Sequence, residues 1–424
     1  MDSRLSGLYR LDLPARRDAI RERAGLPPSA WVTGLSEAAA DLMTENVLTT
    51  LALPNSVAVN LQINGEDVLV PMTVEEPSVV AAVSNMARLA RRSGGFHAEA
   101  DESVMIGQVQ LAAVRDPQAV AARLRAALPS LEELAAAVHP GLARRGGGLR
   151  GMEVRTLRFD HPEEPPEDMV VLHFFLDCAD AMGANLVNTL AEALAAPIEE
   201  LTGERVGLRI LSNLADRRLA RAAVAIDPRH LAQGDLPGDE VAARIAAAWR
   251  FAWADPYRAA THNKGVMNGI DAVAIATGND WRALEAGAHA FAARDGQYRP
   301  LSRWTLRDGL LRGSLELPLQ VGVVGGPIKV HPTVQDNLAL LGSPSARGLA
   351  RVMAAVGLAQ NLGALRALAA EGIQRGHMRM HARTVAVAAG ATAEEVPLVV
   401  ARLAAARDYS SDRAAAVLAE LRAR

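Results

Sequence analysis

Between Gln108 and Leu211 the apolar residues change their spacing in a set order. Gln108–Val114 reads as a strand, and Pro117–Val138 repeats Ala and Leu at helical period. Met152–Phe159 and Met169–Asp177 read as strands, joined by the Pro/Glu-rich turn DHPEEPPED. Gly183–Leu201 is helical in period and Arg205–Leu211 returns to strand. The order β-α-β-β-α-β is the split, ferredoxin-like pattern. The flanks, 1–107 and 212–372, alternate Ala-rich helices with short strands. The expectation is therefore an α+β fold. A small domain, 108–211, is inserted into a large discontinuous one, and residues 373–424 follow as a mostly helical tail. That tail has charged faces and a Gly/Thr break near Gly390–Thr392.

Composition narrows the classes. A chain of 424 residues has room for two or three domains, at about 150 residues each. Half of the residues are hydrophobic, enough for a sizeable core. Lys+Arg total 45 against 48 Asp+Glu, and that balance argues against a nucleic-acid footprint, which needs clustered basic charge. The pairs Arg91-Arg92 and Arg217-Arg218 read as solvated faces. The single cysteine, Cys178, excludes an intrachain disulfide and reads as a small core residue beside a strand end. The N-terminal MDSRLSGLYRLDLPARRD has charges throughout and no apolar h-region, so no secretory signal is expected. No uninterrupted apolar run reaches the ~18 residues of a membrane span. The expectation is no membrane and a cytoplasmic location.

The candidate chemistry gathers in Asp255–Asp280, DPYRAATHNKGVMNGIDAVAIATGND. Arg258, His262, Asn263, Lys264, Asn268 and Asp280 crowd there, and the first half has little core-forming periodicity. Gly265, Gly269 and Gly278 are interleaved, and glycine permits close backbone approach or positive φ. A lysine among amides suits an anionic substrate and a developing oxyanion. A second junction, DAMGANLVNT (Asp180–Thr189), runs from strand into helix. Asp180 can cap there, and Gly183 permits a phosphate to approach the first-turn N–H groups. A capped helix without ligand remains the competing reading. Gly146, Gly148 and Gly151 satisfy G-x-G-x-x-G but follow a helix and lead into a strand. The dinucleotide fingerprint demands the reverse, so this is a helix-to-strand connection. His377 and His381 stand one helical turn apart without the acidic neighbour of H-E-x-x-H, so no metal is expected.

Taken together, the lysine segment, VPMTVEEPSVVAA (Val70–Ala82), DAMGANLVNT, VGVVGG (Val321–Gly326) and EGIQRGHM (Glu371–Met378) resemble the class II 3-hydroxy-3-methylglutaryl-coenzyme A (HMG-CoA) reductases. The order matches and the resemblance runs through essentially the whole chain. It is nearest to the NAD-dependent, mevalonate-degrading pseudomonad type. It implies interconversion of HMG-CoA with mevalonate and coenzyme A, with catabolic use when mevalonate is a carbon source. It also implies a homodimer, or a higher assembly of dimers, with its active site at the subunit boundary. By family position the catalytic residues would be Glu76, Lys264, Asp280 and His377, with Asp280 holding Lys264. Glu76 would be the general acid and His377 would protonate the thiolate. Ser78, Arg258, Asn213 and Asn268 would bind substrate, Arg258 through its carboxylate. Asp180, Met182, Gly183, Ala184, Asn185, Asn188, Gly325 and Gly326 would bind the cofactor, expected to be NAD, with NADP as the alternative. NAD-preferring relatives carry an aspartate where His139 stands, with Arg144 and Arg145 following; Glu132 or Glu133 would substitute if the helix shifts. The small domain would then hold cofactor, and the tail would be a flap delivering His377. A non-catalytic binding protein on this scaffold would have lost some of these side chains, and all four catalytic residues are present.

Overall fold

The computed structural model describes residues 1–370 and 382–423, an α+β arrangement of three antiparallel sheets and the helices packed on them. The chain first forms β1 (Asn55–Ile63) and β2 (Glu66–Thr73), a hairpin. Its turn residues, Asn64 and Gly65, have φ of 53° and 84°. That is the primed turn which Asn-Gly favours, because both central residues need positive φ. β3 (His97–Ala100) follows, then β4 (Val104–Leu111), β5 (Gly148–Phe159), β6 (Glu167–Asp177) and β7 (Val206–Ser212). After these come β8 (Leu219–Ile226), β9 (Ser302–Arg307) and β10 (Leu310–Pro318).

The middle group forms one sheet, in the order β5-β6-β4-β7. The helices Pro117–Val138 and Ala184–Thr202 connect β4 to β5 and β6 to β7. They share an apolar cluster with the sheet that includes Leu124, Leu172, Leu176, Leu190, Leu194 and Ile198. Gly146-x-Gly148-x-x-Gly151 opens β5, where the register shifts between Leu149 and Gly151. No helix starts there, as the strand context required.

The early and late strands meet in a second sheet, β3-β8-β10-β9. Its core partner is the helix Ala346–Ala369, packed against that sheet and the helices Val79–Arg91 and Pro256–Ala276. Among the described residues this helix alone is long and apolar enough to cross a membrane, but it is mostly buried inside the protein. The tail helices, 382–388, Val396–Ala406 and Ser411–Arg422, share a separate cluster. Ala382, Val385, Val399, Leu403, Val417 and Leu418 belong to it, and among the described residues none before 382 does. Gly390 and Thr392 lie in the break between the first two, and Arg422 ties the unit by pairing with Glu395 at 2.9 Å.

Two arginines depart from expectation. Arg91 is no solvated face: it bonds the Asn60 carbonyl, the Ser3 hydroxyl and the Asp67 carboxylate. Arg218 is 4% exposed. A pair of adjacent basic residues carries no period, so only the packing decided which one was buried.

Candidate active site

The lysine segment is a helix, Pro256–Ala276, not a glycine-loosened loop. Asp255 caps it by accepting from the Tyr257 N–H, and Pro256 occupies the first turn. Gly265 and Gly269 lie inside it, without positive φ. A Cβ on Gly269 would stand 2.9 Å from Gln360 Cβ and 3.0 Å from the Val356 carbonyl oxygen. This glycine therefore lets the helix approach Ala346–Ala369, rather than letting backbone approach a ligand. Only Gly278, at φ 68°, takes the left-handed conformation, just after the helix ends.

Lys264, Asn268 and Asp271 share one face, at positions i, i+4 and i+7. Lys264 Nζ lies 2.7 Å from Glu76 Oε2. Glu76 sits on the loop between β2 and the helix Val79–Arg91, so tertiary structure closes a gap of 188 residues. Just beyond it Ser78 adopts φ 84°, ψ −25°. A non-glycine residue there costs ~1–3 kcal/mol, a strain typical of functional turns. The ion pair is open to solvent, with the side chains 60% and 33% exposed. Such pairs contribute at most about 1 kcal/mol to stability. Its meaning is chemical: an ammonium and a carboxyl group aimed into one space.

Asp280 is not brought to Lys264 within this chain. Its carboxylate caps the helix Trp281–Ala292, accepting from the Arg282 and Ala283 N–H groups, and lies 3.4 Å from Arg282. Family position suggested the pair, but 16 residues of helix and turn carry Asp280 past the end of the lysine's helix. Arg258, half-buried, has no acidic partner among the described residues, and burial pushes its guanidinium down from its ordinary value. Asn268 is partly exposed beside Lys264, and Asn213 is exposed with its carbonyl held by Gln320 Nε2 at 3.1 Å. His377 and His381 lie outside the described residues.

Behind Lys264 the helix is pinned by buried polar contacts. His262 Nε2 donates to Ser302 Oγ at 2.6 Å, and that hydroxyl donates to Asn361 Oδ1 at 2.8 Å. Trp304 Nε1 donates to the same oxygen. Burial, with Arg258 nearby, pushes His262 down to about 3, so it is neutral. Asn263 accepts from the Leu301 N–H and donates to the Arg299 carbonyl. Sequence reading also missed Asp271, whose carboxyl is pushed up by burial and by its contact with Glu285. Glu285 in turn pairs with His289, which bonds Tyr298. The position of Asp271, seven residues beyond Lys264, was the available signal.

At the second junction Gly183, φ 109°, precedes the helix Ala184–Thr202, and no side chain caps that N-terminus. A Cβ on Gly183 would lie 2.4 Å from Cys178 Sγ, so the glycine is demanded by the protein's own packing. Asp180 does cap, but a different helix: Oδ1 accepts from the Ala346 N–H at 2.8 Å. Asn188 Oδ1 accepts from the Leu211 N–H in β7. Met182, Ala184 and Asn185 lie at the helix mouth. The Val321–Gly326 loop meets them: the Val323 N–H donates to the Asp180 carbonyl at 2.9 Å. Gly325 and Gly326, φ 85° and 46°, face open space. A helix N-terminus without a side-chain cap, preceded by a glycine of positive φ, is a cradle fit for a pyrophosphate. His139 Nε2 bonds the Leu186 carbonyl at 2.9 Å, which sets it one turn into that helix.

The family described as hydroxymethylglutaryl-coenzyme A reductase matches residues 12–382. The 3-hydroxy-3-methylglutaryl-coenzyme A reductase of Archaeoglobus fulgidus is 47% identical over 427 residues, covering 100% of this chain and 95% of that protein. A probable reductase of Borreliella burgdorferi is 35% identical over 81% of this chain and 77% of its own. Among solved structures, the Streptococcus pneumoniae reductase superposes with a TM-score of 0.82 at 42% identity, covering 98% of this chain and 99% of that one. A structure of the class II S. pneumoniae enzyme bound to NADPH in open conformations gives 0.81 at 43% identity, covering 86% and 99%.

Proposed function

The chain belongs to the hydroxymethylglutaryl-coenzyme A reductase family, and on that premise we propose that Lys264 and Glu76 form the reacting centre of its chemistry. The activity is the interconversion of HMG-CoA with mevalonate and coenzyme A, using a nicotinamide cofactor. Reducing a thioester to a primary alcohol takes four electrons, which a bound nicotinamide supplies as one hydride in each of two half-reactions. The observation that carries the assignment is the 2.7 Å contact between Lys264 and Glu76.

Lys264 stabilises the tetrahedral oxyanion of the first half-reaction, where a fixed positive charge lowers the barrier most. Collapse of that species breaks the C–S bond and yields an aldehyde and a thiolate. We assign the proton the thiolate takes to His377, a task matched to imidazole. In the second half-reaction the alkoxide takes its proton from Glu76. Arg258, which has no acidic partner among the described residues, pairs with the substrate's free carboxylate, a bidentate task suited to guanidinium. Ser78, Asn213 and Asn268 complete the substrate pocket. Asp280 joins the catalytic set by family position, although its carboxylate here serves its own helix.

The cofactor's pyrophosphate is assigned to the mouth of the helix Ala184–Thr202, with Asp180, Met182, Gly183, Ala184, Asn185, Asn188, Gly325 and Gly326 around it. The β5-β6-β4-β7 unit is then the ferredoxin-like cofactor domain, inserted in the substrate domain. The tail is a flap, a reading supported by its separate apolar cluster. Leu42, Leu48 and Leu51 are about nine-tenths exposed on an irregular arm, a surface suited to burial by a second subunit, which supports a homodimer with a shared site. We infer a cytoplasmic location. The resemblance to the NAD-dependent pseudomonad type favours NADH, whereas the class II S. pneumoniae relative is solved with NADPH, and His139 at the helix edge, with Arg144 and Arg145 following, leaves room for a 2′-phosphate.

The test is mevalonate- and coenzyme A-dependent formation of reduced nicotinamide by the purified protein, compared with Lys264→Ala. No signal from the parent rejects the reading; unchanged turnover in the variant rejects the role of Lys264.

A further inference from the structure

Arg218 lies in the connection between β7 and β8, where the middle unit of the chain returns to the larger one. It is 4% exposed, and among the described residues its guanidinium makes no hydrogen bond to a carboxylate. It grips backbone carbonyls instead. Nη1 donates to the Met182 oxygen at 2.9 Å and the Ala181 oxygen at 3.3 Å. Nη2 donates to the Ala181 oxygen at 3.3 Å and to the Val321 oxygen. Met182 and Val321 belong to the two glycine loops that meet at the helix mouth. The loops also touch directly: a Cβ on Gly322 would lie 2.5 Å from the Met182 nitrogen. The nearest acids are engaged elsewhere. Asp177 bonds Arg150 at 2.7 Å and the Ala179 N–H, and Asp180 bonds the Ala346 N–H.

Burying a charge is costly, and neutral carbonyls offset that cost only in part. Burial pushes Arg218 down to about 10, well above neutrality, so it stays charged. The geometry gives that charge a use. A trans peptide holds its C=O and N–H on opposite sides. Drawing in the carbonyls of Ala181 and Met182 therefore turns the N–H groups of Met182 and Gly183 the other way. Among the described residues neither N–H has an acceptor. Val321 follows the same rule, for the next N–H, that of Gly322, points away and donates to Asn279 Oδ1 at 2.7 Å. Asn279 adjoins Asp280, just past the end of the lysine's helix, so one chain of contacts runs between the two halves of the site.

We propose that Arg218 is a positioning residue for the dinucleotide: it locks the Asp180–Gly183 loop against the Val321–Gly326 loop so that the N–H groups of Met182 and Gly183 meet the pyrophosphate. This rests on the reading of the Ala184–Thr202 helix mouth as the cofactor site. Lysine cannot replace it, because one ammonium lacks the fork that serves carbonyls on two loops at once.

The experiment measures binding of NADH and NADPH, by reduced-nicotinamide fluorescence, to the parent, Arg218→Gln and Arg218→Lys. HMG-CoA binding is measured by calorimetry on the same samples. Arg218→Gln should raise the dinucleotide Kd at least tenfold and Arg218→Lys at least threefold, with HMG-CoA affinity within twofold. Where Arg218→Gln does not fold, Arg218→Lys, which keeps the charge and most of the volume, decides alone. A folded variant with dinucleotide Kd within twofold of the parent overturns the proposal. Equal weakening of both ligands also overturns it, by making the role merely structural. Amide exchange of the parent with NADPH separates the underlying reading. Protection at Met182–Asn185 supports the cofactor site, and its absence removes the site whatever the variants do.

Discussion

Lys264 and Glu76 meet although neither neighbourhood announces the other, and their contact makes the sharpest residue-level prediction. Lys264→Ala should lower kcat by at least the 10²–10³ typical of a lost oxyanion donor, with the fold intact by circular dichroism. A kcat within threefold of the parent would remove Lys264 from the chemistry. His262 makes a separate prediction about stability. Its folded value, about 3, lies below its ordinary 6.5, so the unfolded chain binds the proton more readily. The stabilisation from keeping it neutral is therefore complete above pH ~6.5 and drains as pH falls toward ~3. The slope is about 1.4 kcal/mol per pH unit for one proton. Urea unfolding at about pH 6 and pH 4 should show a smaller acid loss in His262→Gln than in the parent. Equal losses would mean His262 takes no part. The motif order singled out Lys264, Glu76 and Arg258 as candidates beforehand. Arg218 and Asp271 were not, because their distinction is burial and partner choice, and neither leaves a periodic trace.

The elements carry the next lesson. The helix Pro256–Ala276 looked aperiodic in its first half because it is buried on several sides, with His262 and Asn263 facing inward among apolar residues. Polar groups that bond one another inside a core defeat a pattern that equates polar with exposed. Gly269→Ala tests the helix contact directly. The added methyl would press on Gln360 Cβ and the Val356 carbonyl, and overpacking of this kind costs about 1–3 kcal/mol. A lower melting temperature is expected, and an unchanged one would mean the helices can separate without cost. The helix Ala184–Thr202, proposed to hold the cofactor, offers a second test. Its first turn lies beside His139, where a carboxylate would bond a ribose hydroxyl and repel a 2′-phosphate. His139→Asp should shift the ratio of kcat/KM toward NADH by about tenfold, equivalent to ~1.4 kcal/mol. A ratio that does not move places the 2′ group elsewhere.

Across the whole molecule, the tail stands out because its apolar cluster is its own. A unit that stabilises itself can dock and release without unfolding the body. The chemistry asks for such movement, since the oxidised cofactor must leave between half-reactions while the aldehyde is kept from water. Truncation after Arg375 should leave a folded protein that binds HMG-CoA but barely reduces it; full turnover would eliminate the flap. His377→Gln should slow thioester reduction more than reduction of free mevaldehyde, which releases no thiolate. Equal slowing would take His377 out of that step.

The sequence by itself determined the α+β class, the order of elements from Pro117 to Ser212 and the family, because periodicity and ordered motifs are local or collinear properties. It also settled that Gly146–Gly151 is no dinucleotide loop, since strand-to-helix context can be read along the chain. Only tertiary structure decided that Glu76 is the group touching Lys264 in this chain, and that Asp180 caps a helix starting at Ala346. Only it set Gly269 against a neighbouring helix and Arg218 beneath two loops. Each of these is a contact between segments far apart in sequence. Their partners are chosen by packing geometry, which no local pattern of residues encodes.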